Sequence, residues 1–240
     1  MCGITEFLGK IRHFGGMDWL RIDHTPKAGL PLTLTGDTLR HALALRLREG
    51  EAVGLLDGRG GRAEGRVVTA TRTTCVVSVR LVEDVAPPVD LTIAIGVLDN
   101  RDRMEFAIEK CTELGVRRIV LLDCQRSQRH TIRMERLLQK AEAAMIQSGR
   151  AWMPELIGPI SVHTCLDTFP DATVIVGDQY GSTPSSCSVP ALILVGPEGG
   201  FASEEQAHIA TRNPVMWRIG DNRLRTETAA IVLIAAAVMA

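Results

Sequence analysis

No two cysteines in this 240-residue chain are spaced C-x-x-C, and no His/Cys spacing repeats as a metal centre would need. No metal is therefore expected. The six cysteines, Cys2, Cys75, Cys111, Cys124, Cys165 and Cys187, fall mostly in apolar runs, which reads as reduced core thiols in a cytoplasmic protein. Long apolar runs are missing too. The longest, Ala229 to Ala240, has 12 residues, against about 20 for a membrane-spanning helix. No signal-peptide pattern opens the chain, so no membrane partner is expected. Neither sign of charge dominates: the net charge is −1, and any contact with nucleic acid has to come from local patches. What is present, 45% hydrophobic and 23% charged residues, suffices for a sizeable core in one large or two small domains.

One stretch organises the rest. Leu192-Ile193-Leu194-Val195 reads as a buried strand, and Gly196-Pro197-Glu198-Gly199-Gly200-Phe201 as the turn that leaves it. Ser203-Glu204-Glu205-Gln206 then suggests a capping box, with Ser203 accepting from the amide of Gln206. Strand, glycine-rich loop and helix N-terminus is the arrangement at which open α/β sheets bind ligands. The loop is no phosphate loop, since no Lys-Ser or Lys-Thr follows, and it is not the G-x-G-x-x-G fingerprint. Many such loops bind nothing, so the loop alone leaves both readings open.

Residues 1–16 show no period and end in Gly15-Gly16, which suggests an extension, with Met17 opening a first domain over 17–86. In that domain Leu30–Leu34, Ala52–Leu56, Arg62–Thr69 and Thr74–Val82 read as strands, the last with Cys75, Val77, Val79 and Leu81 on one face. Thr38–Arg48 allows one short helix, and the whole suggests a small barrel. Eight arginines between Gly36 and Arg80 face five acidic residues, as either a solvated face or an RNA patch. Ala86-Pro87-Pro88 reads as the linker. Over 89–240 strands alternate with helices: Leu91–Val97, helix Arg101–Leu114 stopped by Gly115, Arg117–Leu122, helix Ile132–Ser148 stopped by Gly149, then Thr173–Val176, Leu192–Val195 and Val215–Ile219. That alternation predicts a parallel sheet with helices on both faces. Met104, Ile108 and Cys111 stripe the first helix; Leu138, Ala141 and Met145 stripe the second. The last helix, Thr226–Ala240, is apolar nearly all round, which favours a subunit interface.

Four segments then point to a family. They are Asp102-Arg103-Met104-Glu105-Phe106-Ala107-Ile108-Glu109-Lys110 running on to Glu113-Leu114-Gly115-Val116; Gln147-Ser148-Gly149-Arg150 with Pro154; Leu194 to Phe201 with Glu204-Glu205; and Leu224-Arg225-Thr226-Glu227-Thr228-Ala229. Together, in this order, they resemble the ribosomal RNA small-subunit methyltransferase E family of the SPOUT superfamily. The resemblance implies a C-terminal α/β trefoil-knot domain that binds S-adenosylmethionine, an N-terminal PUA-like β-barrel, a homodimer, and methylation of N3 of a uridine in 16S ribosomal RNA of the small subunit. The sequence departs from the family at Asp18–Asp23, in the helix around His41, and at Gln125-Arg126-Ser127.

Given that resemblance, Leu194, Gly196, Glu198, Gly199, Ile219, Gly220, Leu224 and Thr226 are the expected cofactor residues. Arg225 is expected to stabilise charge on the uracil oxygens. Glu198 or Glu227 would act as base or would orient Arg225 or the cofactor; alternatively Glu227 serves the positive end of the last helix. RNA contacts are expected from Arg21, Arg40 and Arg46 in the first domain. In the second they are expected from Arg126, Arg129, His130, Arg133 and Arg136, in a stretch with six arginines against Asp123 and Glu135. Two other readings stay open: the same chemistry on transfer RNA or 23S ribosomal RNA, and a non-catalytic RNA-binding or assembly factor.

Overall fold

The structure, a computed structural model, describes residues 17–127 and 132–239. The extension over 1–16, Arg129 and His130 lie outside the described residues. The chain divides between Val85 and Ala86 into two compact units.

The first unit contains β1 (Asp18–Arg21), β2 (Pro31–Thr33), α1 (Gly36–Ala44), β3 (Ala52–Leu56), β4 (Gly61–Ala70) and β5 (Cys75–Asp84). The strands form one sheet in the order β1-β3-β4-β5-β2, with β1 parallel to β3 and the other pairs antiparallel. No ladder joins β1 to β2 among the described residues. Instead α1 packs against β1 and β5 and buries Ala42 against a core that includes Leu20, Val53, Leu55, Val67 and Val77. The expected inward stripe of β5 holds for Cys75, Val77 and Val79 but not for Leu81. A bulge is the cause. Gly65 pairs with Val79 and Glu64 with Leu81, which leaves Arg80 as the extra residue. The alternation slips by one, and Val82, opposite Ala63, joins the core in place of Leu81.

The second unit contains β6 (Leu91–Gly96), α2 (Arg101–Glu113), β7 (Arg118–Leu122), α3 (Met134–Ser148), β8 (Glu155–Ile160), α4 (Val162–Thr168), β9 (Thr173–Ser182), β10 (Ala191–Val195), α5 (Ser203–Ala210), β11 (Val215–Trp217) and α6 (Thr226–Met239). Its six strands are all parallel, in the order β11-β9-β10-β6-β7-β8. Every residue of β6 and β10 is buried, because helices cover both faces. On one face Met104, Ile108 and Cys111 of α2, Leu137 and Ala141 of α3, and Leu233 and Ile234 of α6 pack on Ile93, Ile95 and Ile193. On the other, Cys165 and Leu166 of α4 and Ile209 of α5 pack on Val120, Leu192 and Leu194. Burial pushes the thiols of Cys111, Cys124 and Cys165 up to about 12, so they stay protonated and inert.

One expectation changes in this unit. The inward residues of α3 are Leu137, Ala141, Ala144 and Met145, while Leu138 is exposed. Both Leu137 and Leu138 stand at helical spacing from Ala141, and the position of α2 decides between them. The arginine of the Gln147–Arg150 segment is a brace. It donates to the carbonyls of Thr112 (2.8 Å) and Val116 and so ties the end of α3 to the end of α2. Burial pulls its pKa down to about 10. β8 and α4 carry no sequence signal of their own. β8 is a half-buried edge strand containing Gly158 and Pro159, and α4 has only seven residues, started by Ser161 accepting from the Thr164 amide at 3.0 Å.

Candidate active site

β10 ends at Val195 and the chain turns through Gly196–Phe201 into α5. Two glycines shape that turn. Gly200 sits at φ +68, and its amide donates to the Pro197 carbonyl at 2.8 Å. Gly96 closes β6 beside it, where a Cβ would lie 2.4 Å from the Pro197 nitrogen. Helix capping falls one residue earlier than expected. Ala202, extended at φ −71 and ψ 164, is the N-cap, and Glu205 rather than Gln206 reaches back, accepting from the Ala202 amide at 2.7 Å. The Gln206 amide donates to the Ala202 carbonyl at 2.8 Å, so Ser203 does not cap. Glu205 also accepts from the Gln125 amide (2.9 Å), and Glu204 accepts from the Gln125 side chain (2.9 Å). Arg126 donates to the Gly199 carbonyl at 3.1 Å. The segment after β7 is thereby tied to the start of α5.

A second loop, 218–225, runs from β11 to α6 and is stitched to the first. Thr226 Oγ1 donates to the Gly196 carbonyl (3.0 Å), and Arg223 donates to the Glu198 carbonyl (3.0 Å). Between the loops lies a cleft of about 900 Å³, lined among others by Arg103, Gly196, Glu198, Leu224, Arg225 and Thr226. A hollow of about 460 Å³ shares Leu224 and adds Trp217, Ile219 and Gly220. Both volumes lie in the range of small-molecule sites, about 300–1,000 Å³. Six of the eight expected cofactor residues line one or the other. Leu194 and Gly199 line neither. Leu194 is buried in the core on the α4 and α5 face, and Gly199 lies under Arg126, where a Cβ would come within 3.1 Å of the arginine Cβ.

The charges of the cleft centre on Arg103, a residue to which the sequence assigned no role. It pairs with Glu198 at 2.8 Å and with buried Glu227 at 3.7 Å. Asn100 holds the start of α2 by accepting from the Arg103 amide at 3.0 Å. Glu198 stands in the cleft wall. Glu227 is set behind it in the first turn of α6, only 7% of its side chain is exposed, and its Oε2 accepts no hydrogen bond. The indole N–H of Trp217, buried at the wall of the hollow, likewise has no acceptor. Arg225 is exposed at the cleft and enters no side-chain hydrogen bond or ion pair among the described residues. The signal for Arg103 was its place in the first of the four motif segments; that it joins two carboxylates more than ninety residues further on is a tertiary fact.

The arginines expected to meet RNA divide into engaged and disengaged. In the first unit Arg40 pairs with Asp37, and Arg46 is exposed at φ 57. Arg21 is half-buried in β1, where its carbonyl accepts from Thr38 at 2.6 Å. In the second unit Arg117 and Arg118 pair with Asp90, and Arg118 also with Glu155. Arg136 is held by buried Glu105. Three of the six arginines counted there thus pair with carboxylates; Arg126, tied to the Gly199 carbonyl, and Arg133 remain exposed.

The RNA methyltransferase domain family matches residues 85–238, and the RNA methyltransferase PUA domain family matches 34–80. The ribosomal RNA small subunit methyltransferase E of Mycobacterium bovis is 30% identical over 90% of this chain and 88% of its own length. The chain belongs to the ribosomal RNA small subunit methyltransferase E family. Among solved members of the family, the enzyme of Neisseria gonorrhoeae bound to S-adenosyl methionine superposes with a TM-score of 0.81 at 26% identity, covering 92% of this chain and 96% of that one. A probable rRNA-methyltransferase from Porphyromonas gingivalis superposes at 0.78 with 30% identity, over 91% and 96%. The first unit is accordingly PUA-like and the second an α/β RNA methyltransferase domain with a parallel sheet. No helix among the described residues is long and apolar enough to cross a membrane.

Proposed function

We propose that this protein methylates N3 of a uridine in 16S ribosomal RNA of the small subunit, with S-adenosylmethionine as donor. The observation that carries this is the pair of stitched loops, Gly196–Phe201 and 218–225, enclosing a cleft with Arg225 and Glu198 at its wall. The residues present fit the cofactor. The hollow beside Ile219 and Gly220 is open, nothing lies within 4 Å of a Cβ placed at Gly220, and the buried N–H of Trp217, a residue lining that hollow, lacks an acceptor. Gly196, Ile219, Gly220 and Leu224 would hold the adenosine and the amino-acid tail through main-chain groups. When bound, the sulfonium supplies an electrophilic methyl group.

This chain's own part is positioning and charge. The uracil N3–H is weakly acidic, and its proton has to leave as the new bond forms. Arg225, free of internal partners, would donate to a uracil oxygen and stabilise the charge that develops there. Glu198, a carboxylate of the same cleft wall, would take that proton. Arg103 fixes its direction, and Glu227 fixes Arg103 from behind, which makes Glu227 a positioning residue in this reading. The RNA would be gathered by Arg21, Arg40, Arg46, Arg126 and Arg133, with Arg129 contributing from outside the described residues.

The same reading includes a homodimer, a trefoil knot at the stitched loops and a cytoplasmic setting. The apolar outer side of α6 supports the first. The loop-to-loop bonds and the sheet order support the second, and the five described cysteines, all free thiols, support the third. The test is transfer of labelled methyl from S-adenosylmethionine to small subunits prepared from cells lacking the gene. Incorporation that maps to uridine N3 is expected. Cofactor binding without incorporation would turn the reading toward another RNA, and failure to bind the cofactor would leave an assembly factor.

A further inference from the structure

We propose that His163, Asp167 and His208 form a binding site for one divalent transition-metal ion, Zn²⁺ being the type its ligands suit, and that the ion cross-links α4 to α5. One ligand atom from each residue lies within 4.8 Å of the other two. His163 and Asp167 stand four residues apart on α4 and share a face, with His163 Nδ1 3.1 Å from an Asp167 carboxylate oxygen. His208 comes from α5, and its ring stacks on that of His163 with centroids 4.0 Å apart and planes at 23°. Two imidazoles and a carboxylate are the ligand set of a three-residue zinc site whose fourth position is left to water.

The frame around these side chains is fixed. Arg212, just past α5, donates to the carbonyls of Leu166, Phe169, Pro170 and Ala172 at the end of α4, at 2.6–3.2 Å. Beneath, Cys165, Leu166 and Ile209 share one core. The two helices therefore hold their spacing, and closing the three ligands around an ion, with bonds of about 2.0–2.2 Å, needs only rotation of side chains, His163 and Asp167 exposed and His208 half-buried. The ion would act structurally. α5 also carries Gln206, Ile209 and Ala210 to the wall of the large cleft, so pinning α5 to α4 steadies that wall from outside, and methyl transfer does not require it. Linear spacing could not display this set, because its members come from two separate helices.

The experiment titrates tag-free, metal-stripped full-length protein with ZnCl₂ by calorimetry and, in parallel, with Co²⁺ by visible absorption. The expected result is one equivalent of Zn²⁺ and a tetrahedral Co²⁺ spectrum. Both should be lost in His208→Ala and in His163→Ala, and binding should weaken about 10- to 100-fold in Asp167→Asn, while His24→Ala behaves as wild type. Zn²⁺ should raise the Tm of wild type and not that of His208→Ala. No binding by wild type, or affinity unchanged in His208→Ala and His163→Ala, overturns the proposal.

Discussion

Arg225 and Glu198 are both arginine-or-carboxylate residues at one cleft, yet they differ in freedom. Glu198 is engaged by Arg103 at 2.8 Å, while the exposed Arg225 side chain has no hydrogen-bond or ion-pair partner among the described residues. That difference gives a kinetic expectation. Arg225→Ala should lower kcat by about 10²–10³, the usual cost of removing one donor to a developing oxyanion, with the Kd for S-adenosylmethionine little changed. Single-turnover kinetics beside equilibrium binding would separate the two, and a collapse of cofactor affinity would reassign the residue. Gly96 makes a prediction of another kind. It lies outside the loop, but a Cβ there would sit 2.4 Å from the Pro197 nitrogen. Gly96→Ala should therefore cost about 1–3 kcal/mol through forced backbone movement, visible as a lower Tm together with weaker cofactor binding. A variant with unaltered Tm and affinity would mean that the contact relaxes freely. Neither Gly96 nor Arg103 was given a role by the sequence, because each matters through a partner from a distant segment.

At the level of helices and strands, pattern was the better guide. The strand Ala52–Leu56 and the helix starting at Arg101 emerged at their expected places, since five-residue apolar runs and a 3.6-residue stripe are written in neighbouring positions. Two misses concern the phase of an element. Leu137 replaced Leu138 and Val82 replaced Leu81 because a neighbouring helix and a bulge, respectively, set the phase. The α2–α3 pair also holds an ion pair that titrates, its carboxylate buried and its arginine half-exposed. Arg136, donating to Glu105, holds that carboxyl below the usual carboxylate range, with Lys140 adding to it. A depressed carboxylate stabilises the fold above its unfolded pKa, about 4.3, and the contribution is lost as pH falls through the lower folded value. Glu105→Gln should thus lower the Tm at pH 7 and flatten its decline below about pH 4.3. Thermal melts of both proteins from pH 7 to pH 3 would check it; parallel curves would remove the pair from the pH dependence.

For the molecule as a whole, the open question is what covers α6. Its inner side packs on α2, β6 and β10, while Val238 and Met239 are 59% and 85% exposed and Phe106 of the adjoining α2 is 45% exposed. A homodimer through this side should give sedimentation at twice the 26.1 kDa chain mass, and the double variant Val238→Asp, Met239→Asp should shift it to monomer. A dimer indifferent to those two charges would place the interface elsewhere. Fold class, the two-unit layout and the glycine-bearing loop between β10 and α5 were legible in the chain order because period and turn chemistry act between neighbours. The joining of Gly196 to Thr226, of Glu198 and Glu227 through Arg103, and of His163 to His208 was not legible. Those contacts exist only once a parallel sheet has carried distant strand ends to one side, and no local rule encodes which side chains then face each other.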